Sequence, residues 1–324
     1  MSTKSKVLQI LLANQGEPIS GEKMATTLNL SRTAIWKGIN ELKKEGHNIR
    51  STTNRGYDYL PSDVLSREEI DLMLAGETPP LTILIEEELA STNQTLKKMA
   101  IDGQATNTLL LTNKQTATRG RFGRPYFVAD NNQGIYLSLL LHTNQPFAEI
   151  AQYTLITAVA MARAIEEFQG TTVEIKWVND LYMNGKKVAG ILSEAITDFE
   201  TQTISSVIIG VGVNFAIPQA DFPRELQERA TSVFPTGLTD LSRNQLIASF
   251  LRHFYQLLDG ADNPYIDDYR QRSFVLGKEV TFTYNRQAYQ GLATDITTTG
   301  ELVVTLPDGS QMTLSSGEIS LTSY

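Results

Sequence analysis

Three segments near the start of the chain carry apolar residues at helical spacing. Side chains that recur every three or four residues fall on one face of a helix, which can then pack against a core. The apolar positions are Val7, Leu8, Leu11 and Leu12, then Met24, Ala25 and Leu28, and then Ile35, Ile39 and Leu42. Ser20 and Ser31 each stand directly before a helical pattern, where serine caps free backbone N–H groups. Because Gly46 stands where the last pattern ends, the spacing predicts three short helices.

A hairpin is predicted directly after these helices. Residues 48–52 and 57–60 favour strands, and Thr53-Asn54-Arg55-Gly56 between them favours a turn. Three helices and a hairpin are the elements of a winged helix-turn-helix, which we assign to residues 1–63. A small helical interaction domain that does not touch DNA is the alternative.

In a winged helix-turn-helix the start of the third helix contacts the bases. The candidate DNA-binding residues are therefore Ser31, Arg32, Thr33, Trp36, Lys37 and, in the turn of the hairpin, Arg55. Trp36 fits a core position equally well. Residues 64–80 are expected to form a linker, because Ser66 can cap only a short helix before Gly76 and Pro79-Pro80 interrupt any regular element.

Residues 81–275 alternate between β-favouring runs and helical patterns, which indicates an α+β fold class. Strands are expected at 81–85, 108–111, 135–141, 173–177, 187–193 and 204–213, and helices at 150–168, 246–258 and 265–272. Because the strands outnumber the helices between them, we expect a mixed sheet with helices on one face. From 276 to 324 short β segments separated by turns predict a small β-barrel of the SH3-like kind.

Composition excludes several kinds of site. The chain has no cysteine, which removes disulfides and thiolate chemistry, and its three histidines are scattered, so we expect no metal site. No apolar run approaches the roughly 20 residues that span a bilayer, so we expect no membrane partner and a cytoplasmic location. Residues 1–60 carry nine Lys and Arg against five Asp and Glu, whereas the whole chain has a net charge of −8. A basic segment on an acidic protein indicates that the two parts have different partners.

Residues 118–124 combine three arginines with two glycines in the order Thr-Arg-Gly-Arg-Phe-Gly-Arg. Glycine makes a stable helix or strand unfavourable here. The guanidinium groups can converge on an anion, because arginine presents a planar fork of donors that fits phosphate and carboxylate oxygens. A second cluster follows, Lys176-Trp177-Val178-Asn179-Asp180 and then Lys187-Val188-Ala189-Gly190-Ile191-Leu192. A basic loop and a lysine on a strand suit a site that uses a nucleotide to activate a carboxylate.

The order and spacing of these clusters resemble the biotin protein ligases. The pattern of that family is G-R-G-R-x-G-R, then K-W-P-N-D, then K-x-A-G-I-L; here Thr118 replaces the first glycine and Val178 replaces the proline. The resemblance runs from about residue 80 to the C-terminus. With its N-terminal module, the whole chain resembles the bifunctional ligase and biotin-operon repressor branch. The resemblance implies that 81–275 is a biotin- and ATP-binding catalytic domain similar to the class II aminoacyl-tRNA synthetases.

The resemblance also implies roles for individual residues. Lys187 and Arg121 are the expected catalytic residues. Biotin is expected to contact Ser91, Thr92, Asn93, Gln115, Arg119, Gly120, Arg121, Lys187 and Gly190. ATP and the adenylate are expected at Arg124, Tyr126, Lys176, Asn179 and Asn214. Tyr126 stands where the family commonly has tryptophan, and its ring can stack on adenine.

The implied activity is ATP-dependent ligation of biotin. Biotin and ATP would form biotinyl-AMP, with Mg²⁺ on the ATP phosphates. A lysine of a biotin carboxyl carrier protein domain, in acetyl-CoA carboxylase or a related carboxylase, would then take the biotin. The repressor branch further implies operator DNA as a partner and a homodimer when the adenylate is bound. A ligase-like regulator that has lost catalysis and a lipoate ligase-type enzyme are the alternatives.

Overall fold

The structure is a computed structural model that describes residues 2–53, 55–124, 126–129, 132–146, 149–198, 203–260, 263–315, 317 and 319–321. The chain divides into two units. The first unit comprises Met1–Thr78 and Thr239–Ser249, and the second comprises Pro79–Leu238 and Phe250–Tyr324. In the part of the chain that is described, no helix is both long and apolar enough to cross a membrane.

Three capped helices open the first unit. They are α1 (Thr3–Ala13), α2 (Gly21–Leu28) and α3 (Arg32–Lys44). The hydroxyl oxygens of Ser20 and Ser31 accept hydrogen bonds from the backbone N–H groups of Lys23 and Ala34, each at 3.1 Å. Both predicted caps are therefore confirmed. The apolar positions predicted for the three helices pack into one cluster, in which Leu28 is partly buried.

A hairpin completes the predicted winged helix-turn-helix. Strands β1 (Ile49–Thr52) and β2 (Gly56–Tyr59) pair in antiparallel. Gly56 has a φ of +107°, and a Cβ at this position would lie 2.2 Å from the carbonyl oxygen of Ile19. Only glycine fits both the backbone conformation and the space. The turn therefore depends on this one residue.

The exposed face of α3 carries the candidate DNA-binding residues. Trp36 is 57% exposed, so the alternative that placed it in the core is wrong. The other candidates are exposed as well: Ser31, Arg32, Thr33, Lys37 and, in the hairpin turn, Arg55. On the opposite face of α3, Ile35 and Ile39 are each 1% exposed. The solvent-facing side of the helix is thus basic and aromatic.

Five further α-helices follow among the residues that the structure describes. They are α4 (Arg67–Leu74), α5 (Thr92–Ile101), α6 (Ile150–Gln169), α7 (Arg243–Leu258) and α8 (Tyr265–Arg272). The spans predicted for the last three are confirmed to within a few residues. Helix α4 lies in the segment expected to be a linker. Its cap is the one predicted, since the Ser66 hydroxyl oxygen accepts a hydrogen bond from the Glu69 backbone N–H at 3.2 Å.

A buried polar cluster joins the two chain segments of the first unit. Arg243 is 2% exposed, and its backbone N–H and Nε donate to the carboxylate of Asp63 at 2.7 and 2.9 Å. Asn244 donates through Nδ2 to the carboxylate of Glu69 at 3.0 Å. These contacts make residues 239–249 an integral part of the unit that contains the winged helix.

Glu69 gives the first unit a pH-dependent stability. Burial raises the pKa of Glu69 from 4.5 to about 7. Because the folded unit binds this proton more tightly than the unfolded chain, its stability falls as the pH rises from about 4.5 to about 7. Glu69→Gln keeps an acceptor for Asn244 and removes the charge. We expect slower amide hydrogen exchange in α4 of this variant than of the wild type at about pH 8, and a smaller difference at about pH 5.

Glu68→Gln is the matched control, because Glu68 is the neighbouring carboxylate and is more exposed than Glu69. We expect its exchange to follow the wild type at both pH values. A Glu69→Gln variant whose α4 exchange also keeps the wild-type pH dependence would show that Glu69 does not control it.

A seven-stranded mixed sheet forms the centre of the second unit, as predicted. Its strands are β3 (Thr82–Leu89), β4 (Thr108–Gln115), β5 (Gly134–Pro146), β6 (Glu174–Lys176), β7 (Asp180–Met183), β8 (Lys186–Asp198) and β9 (Thr203–Asn214). Their order is β3-β4-β5-β9-β8-β7-β6. Strand β3 pairs with β4 in parallel, and the other neighbours pair in antiparallel. The short strand β7 was not predicted.

Helices pack on both faces of this sheet, so the expectation of helices on one face is wrong. Asn93 on α5 contacts Ser138 of β5, whereas Thr154 on α6 contacts Ser193 of β8. Ser138 lies in register with Leu192, the residue before Ser193, across β9. Since successive side chains of a strand point to opposite faces, the two helices lie on opposite faces. Counting helices and strands cannot reveal this arrangement.

A five-stranded antiparallel sheet lies in the region where a small SH3-like β-barrel was predicted. Its strands are β10 (Glu279–Tyr284), β11 (Gln287–Ile296), β12 (Leu302–Thr305), β13 (Gln311–Leu314) and β14 (Ile319–Leu321). The sheet belongs to the second unit. Trp177 donates a hydrogen bond from Nε1 to the carbonyl oxygen of Gly300 at 2.9 Å. This contact ties the turn between β11 and β12 to the end of β6.

Candidate active site

A cleft of about 240 Å³ in the second unit gathers nearly all of the residues that were expected to bind biotin or ATP. Those that line it are Ser91, Thr92, Asn93, Gln115, Arg119, Gly120, Arg121, Arg124, Tyr126, Lys176, Asn179, Lys187 and Gly190. Asn214 is not among the lining residues; its Nδ2 donates to the carbonyl oxygen of Thr231 at 2.9 Å. Separate stretches of the chain therefore meet at one place.

The arginine-glycine loop forms one wall of the cleft. Residues Arg121–Gly123 make a single 3-10 turn, and the backbone N–H of Gly120 donates to the carbonyl oxygen of Arg124 at 2.7 Å. Arg121 donates from Nη1 to Oδ1 of Asn179 at 3.1 Å. Thr118 replaces a glycine of the family pattern, and its hydroxyl donates to the carbonyl oxygen of Tyr126 at 2.7 Å. The substitution therefore adds a hydrogen bond that closes the base of the loop.

Lys187 brings a positive charge to the floor of the cleft. It lies near the start of β8, where its backbone N–H and carbonyl pair with Arg229 and Thr231 at 2.8 and 2.9 Å. Its Nζ donates to Oδ1 of Asp180 on β7 at 2.6 Å. Asp180 was not predicted to be a site residue. Its place directly after Asn179, in a hairpin with the lysine strand, was the available signal.

The residues around Asn179 are held by backbone contacts. Asn179 donates from Nδ2 to the carbonyl oxygen of Ile191 at 2.7 Å, and its own carbonyl accepts from the Ile191 N–H at 3.0 Å. Val178, which replaces the proline of the family pattern, accepts a hydrogen bond from the Tyr269 hydroxyl at 2.9 Å. The amide oxygen of Asn179 is thereby presented to Arg121.

Ser91 and Thr92, at the start of helix α5, form another wall of the cleft. The Ser91 hydroxyl oxygen accepts from the backbone N–H of Gln94 at 3.4 Å, so this residue is a helix cap as well as a cleft residue. The Gln115 side-chain oxygen accepts from the Thr92 backbone N–H at 2.8 Å. The amide nitrogen of Gln115 is a hydrogen-bond donor. This wall is uncharged and polar, which suits the recognition of a neutral polar ring.

Two glycines of β9 make room for side chains that reach the cleft. A Cβ at Gly212 would lie 2.8 Å from ring atoms of Tyr126, and a Cβ at Gly210 would lie 2.2 Å from Oδ1 of Asn93. Burial raises the pKa of Tyr126 above its ordinary range, so its hydroxyl stays neutral. That hydroxyl has no hydrogen-bond partner among the described residues.

Several lining residues were missed because distant parts of the chain supply them. Ile319 comes from β14 of the C-terminal sheet and Gly317 precedes that strand, whereas Leu137 and Val211 come from central strands. Their apolar character carries no local signal of a binding site. No group of carboxylates and imidazoles that could hold a metal ion occurs among the described residues. The cleft thus combines fixed cations, a neutral polar wall and apolar strand residues.

Three protein families match successive parts of the chain. The HTH domain family matches residues 3–58, the biotin/lipoate A/B protein ligase family matches residues 86–214, and the biotin protein ligase C terminal domain matches residues 275–322. Fold and cleft together define a protein ligase domain of the biotin/lipoate class that is joined to a helix-turn-helix domain.

Similar proteins specify the class further. The chain is 38% identical over 255 residues to the bifunctional ligase/repressor BirA of Bacillus subtilis, which is 78% of either chain. It is 28% identical to the bifunctional ligase/repressor BirA of Escherichia coli over 97% of this chain and 95% of that one. The chain belongs to the family of bifunctional biotin ligase/repressors. Among solved structures, the biotin protein ligase from Aquifex aeolicus in complex with biotin and ATP aligns with a TM-score of 0.61 at 25% identity, covering 74% of this chain and 98% of that one.

Proposed function

We propose that this chain is an ATP-dependent biotin protein ligase that also represses transcription in response to biotin. The acceptor would be a lysine of a biotin carboxyl carrier protein domain, in acetyl-CoA carboxylase or a related carboxylase. The observation that carries the proposal is the convergence of Lys187 and the arginine-glycine loop on one cleft, which is also lined by the uncharged polar residues Ser91, Thr92 and Gln115. Residues 1–63 would form the DNA-binding domain, and residues 64–80 would link it to the rest of the chain. The reaction would be carried out by the catalytic domain at 81–275 together with the C-terminal domain at 276–324.

The proposed chemistry has two steps. A carboxylate oxygen of biotin attacks the α-phosphorus of ATP, pyrophosphate leaves, and a mixed anhydride, biotinyl-AMP, forms. The amine of the acceptor lysine then attacks the acyl carbon, AMP leaves, and the new amide loses a proton. The first step brings two anions together, so positive charge has to be fixed where their oxygens meet. Lys187 and Arg121 are the residues we assign to that role.

ATP would carry Mg²⁺ into the cleft. Mg²⁺ is usually bound by one or two carboxylates together with substrate phosphates and water. Asp180 is a carboxylate at the floor of the cleft, 2.6 Å from Lys187, and it fits such a limited contribution. Use of ATP also supports the cytoplasmic location that we expect.

The DNA-binding part of the proposal rests on the first unit. The exposed side of α3 presents Arg32 and Lys37 beside Trp36, and the segment that contains them is basic on an otherwise acidic chain. One winged helix makes few contacts with DNA. We therefore include operator DNA and an adenylate-dependent homodimer in the proposal.

Biotinylation of a purified carrier domain tests the enzymatic part. The full chain is incubated with ATP, Mg²⁺ and either biotin or lipoate, and both pyrophosphate release and acyl transfer to the carrier lysine are measured. We expect both products with biotin and neither with lipoate. Transfer of lipoate instead of biotin would support the lipoate ligase alternative, and biotin binding without either product would support a regulator that has lost catalysis.

Arg121→Gly should release biotinyl-AMP faster than the wild-type protein. The Arg121 side chain spans from the loop to Asn179, so its loss opens the wall of the cleft and weakens retention of the adenylate. We expect an off-rate about tenfold or more above that of the wild type, because a hydrogen bond to a charged group contributes about 1.5–3 kcal/mol. Dissociation of labelled biotinyl-AMP measures the rate.

Arg286→Gly is the control for this variant. Arg286 is an exposed residue in the turn between β10 and β11, with a φ of +65° that glycine adopts readily. We expect it to leave the off-rate unchanged. An unchanged off-rate in Arg121→Gly would show that the Arg121 side chain does not retain the adenylate.

A further inference from the structure

A fully buried hydroxyl group lies beneath the cleft. Ser138 on β5 is 0% exposed and is not among the lining residues. Its Oγ lies 2.8 Å from Oγ1 of Thr92 and 2.6 Å from Oδ1 of Asn93. Both of these partners line the cleft. Ser138 therefore supports the site from the side of the sheet, where no ligand can reach it.

The other contacts of Asn93 determine which of its atoms faces Ser138. Nδ2 of Asn93 donates to the carbonyl oxygen of Leu192 at 3.1 Å and to the carboxylate of Glu194 at 2.8 Å. Both partners can only accept, so the amide nitrogen faces β8 and the amide oxygen faces Ser138. Gly210 is required beneath this amide, since a Cβ there would lie 2.2 Å from its oxygen.

Ser138 can donate to only one of its two neighbours, because a hydroxyl carries one hydrogen. The amide oxygen of Asn93 accepts and cannot donate, so the hydrogen goes to Asn93. The hydrogen in the 2.8 Å contact with Thr92 then has to come from the Thr92 hydroxyl. Gln115 lies farther from that hydroxyl, at 3.3 Å, and is bound through the Thr92 backbone N–H at 2.8 Å. Ser138 thus sets the direction of the Thr92 hydroxyl.

We propose that Ser138 is a positioning residue for the biotin half of the reaction. It connects Thr92 and Asn93, at the first turn of α5, to a central strand of the sheet. Groups that are held in one orientation before a ligand binds lose less entropy when it does. The inference rests on the proposed function, because it assumes that biotin binds beside Thr92.

Ser138→Ala tests the inference, because it removes the hydroxyl and leaves the Asn93 oxygen without its donor. We expect the KM for biotin to rise about tenfold, while the KM for ATP and the kcat at saturating biotin change by less than about twofold. Ser138→Cys keeps a similar volume and a weaker donor, so its KM for biotin should fall between those of the wild type and Ser138→Ala. In a Thr92→Val background, adding Ser138→Ala should raise the KM for biotin less than it does in the wild type.

Thr108→Val is the matched control. Thr108 is also 0% exposed, and its hydroxyl accepts from Gln104 and donates to the carbonyl oxygen of Ala105. It does not line the cleft. We expect it to lower the unfolding temperature about as much as Ser138→Ala and to leave the KM for biotin unchanged.

The inference is wrong if both Ser138 variants keep the wild-type KM for biotin, or if they raise the KM values for biotin and ATP equally. The latter result would mean that Ser138 supports only the fold. A wild-type chain that forms no biotinyl-AMP would overturn the proposed function instead, so the two failures are distinguishable.

Discussion

Lys187→Ala should slow the formation of biotinyl-AMP by about 10²- to 10³-fold, the usual cost of removing one preorganised charge contact. The Lys187 ammonium lies in the cleft, 2.6 Å from the Asp180 carboxylate. Its removal takes away a cation that would stabilise the reacting anions. It also leaves Asp180 as an unbalanced negative charge that repels them. Pyrophosphate release with biotin and ATP measures the rate, and circular dichroism checks that the fold is retained.

Lys186→Ala is the matched control for this experiment. Lys186 is the preceding residue on β8, but its Nζ donates to the carbonyl oxygen of Gln227 at 2.8 Å and it does not line the cleft. We expect less than about a twofold change in rate for this variant. A Lys187→Ala variant that makes biotinyl-AMP at the wild-type rate would show that the catalytic cation is another residue.

Biotinyl-AMP should raise the affinity for operator DNA by about 10²-fold or more. A single winged helix makes few phosphate contacts, and joining two copies in one dimer turns the second contact into an intramolecular event. The loop at 119–124 lies at the proposed adenylate site, so its ordering by the ligand could complete a dimer surface on the second unit. Sedimentation and gel-shift assays on the upstream region of biotin genes, with and without the adenylate, measure both effects. Equal dimerisation and equal DNA affinity with and without the adenylate would show that the protein does not sense biotinyl-AMP.

Two lysines of α3 provide the control for DNA binding. Lys37 lies near the start of this helix and Lys44 at its end, and both are exposed. We expect Lys37→Ala to weaken DNA binding with and without the adenylate and to reduce the salt dependence by about one charge. Lys44→Ala should have little effect, and both variants should biotinylate the carrier domain at the wild-type rate. If Lys44→Ala weakens binding more than Lys37→Ala does, the start of α3 is not the DNA-contacting part.

Local rules were sufficient for most of the regular elements, although helix α5 (Thr92–Ile101) was not predicted. The caps at Ser20, Ser31 and Ser66 depend on contacts three residues away, so the sequence specifies them directly. Strands β10 to β13 of the C-terminal sheet are bounded by turn residues in the sequence, so neighbouring residues specify them too, whereas β14 (Ile319–Leu321) was not predicted. Short elements were harder, because four residues such as Asp180–Met183 carry too little periodicity to identify a strand.

The cleft depends on local motifs only in part. Lys187 and Arg121 stand out by their spacing in the chain, and the structure brings both to the cleft. Ser138 has no such signal, because an isolated serine in an apolar strand is common. Its importance arises from Thr92 and Asn93, which lie more than 40 residues away in the chain and directly above it in the fold.

The sequence alone determined the winged helix-turn-helix and the mixed sheet, because periodicity and capping are properties of neighbouring residues. Its motifs, through their resemblance to the biotin protein ligases, also indicated the lysines and arginines of the proposed site. The tertiary structure decided that Asp180 pairs with Lys187. It also decided that Trp36 is exposed, that helices cover both faces of the sheet, and that residues 239–249 join the first unit through Arg243 and Asn244. Each of these features depends on contacts between segments that are distant in the sequence. Those contacts are determined by the packing of the whole chain, and a local sequence pattern does not specify them.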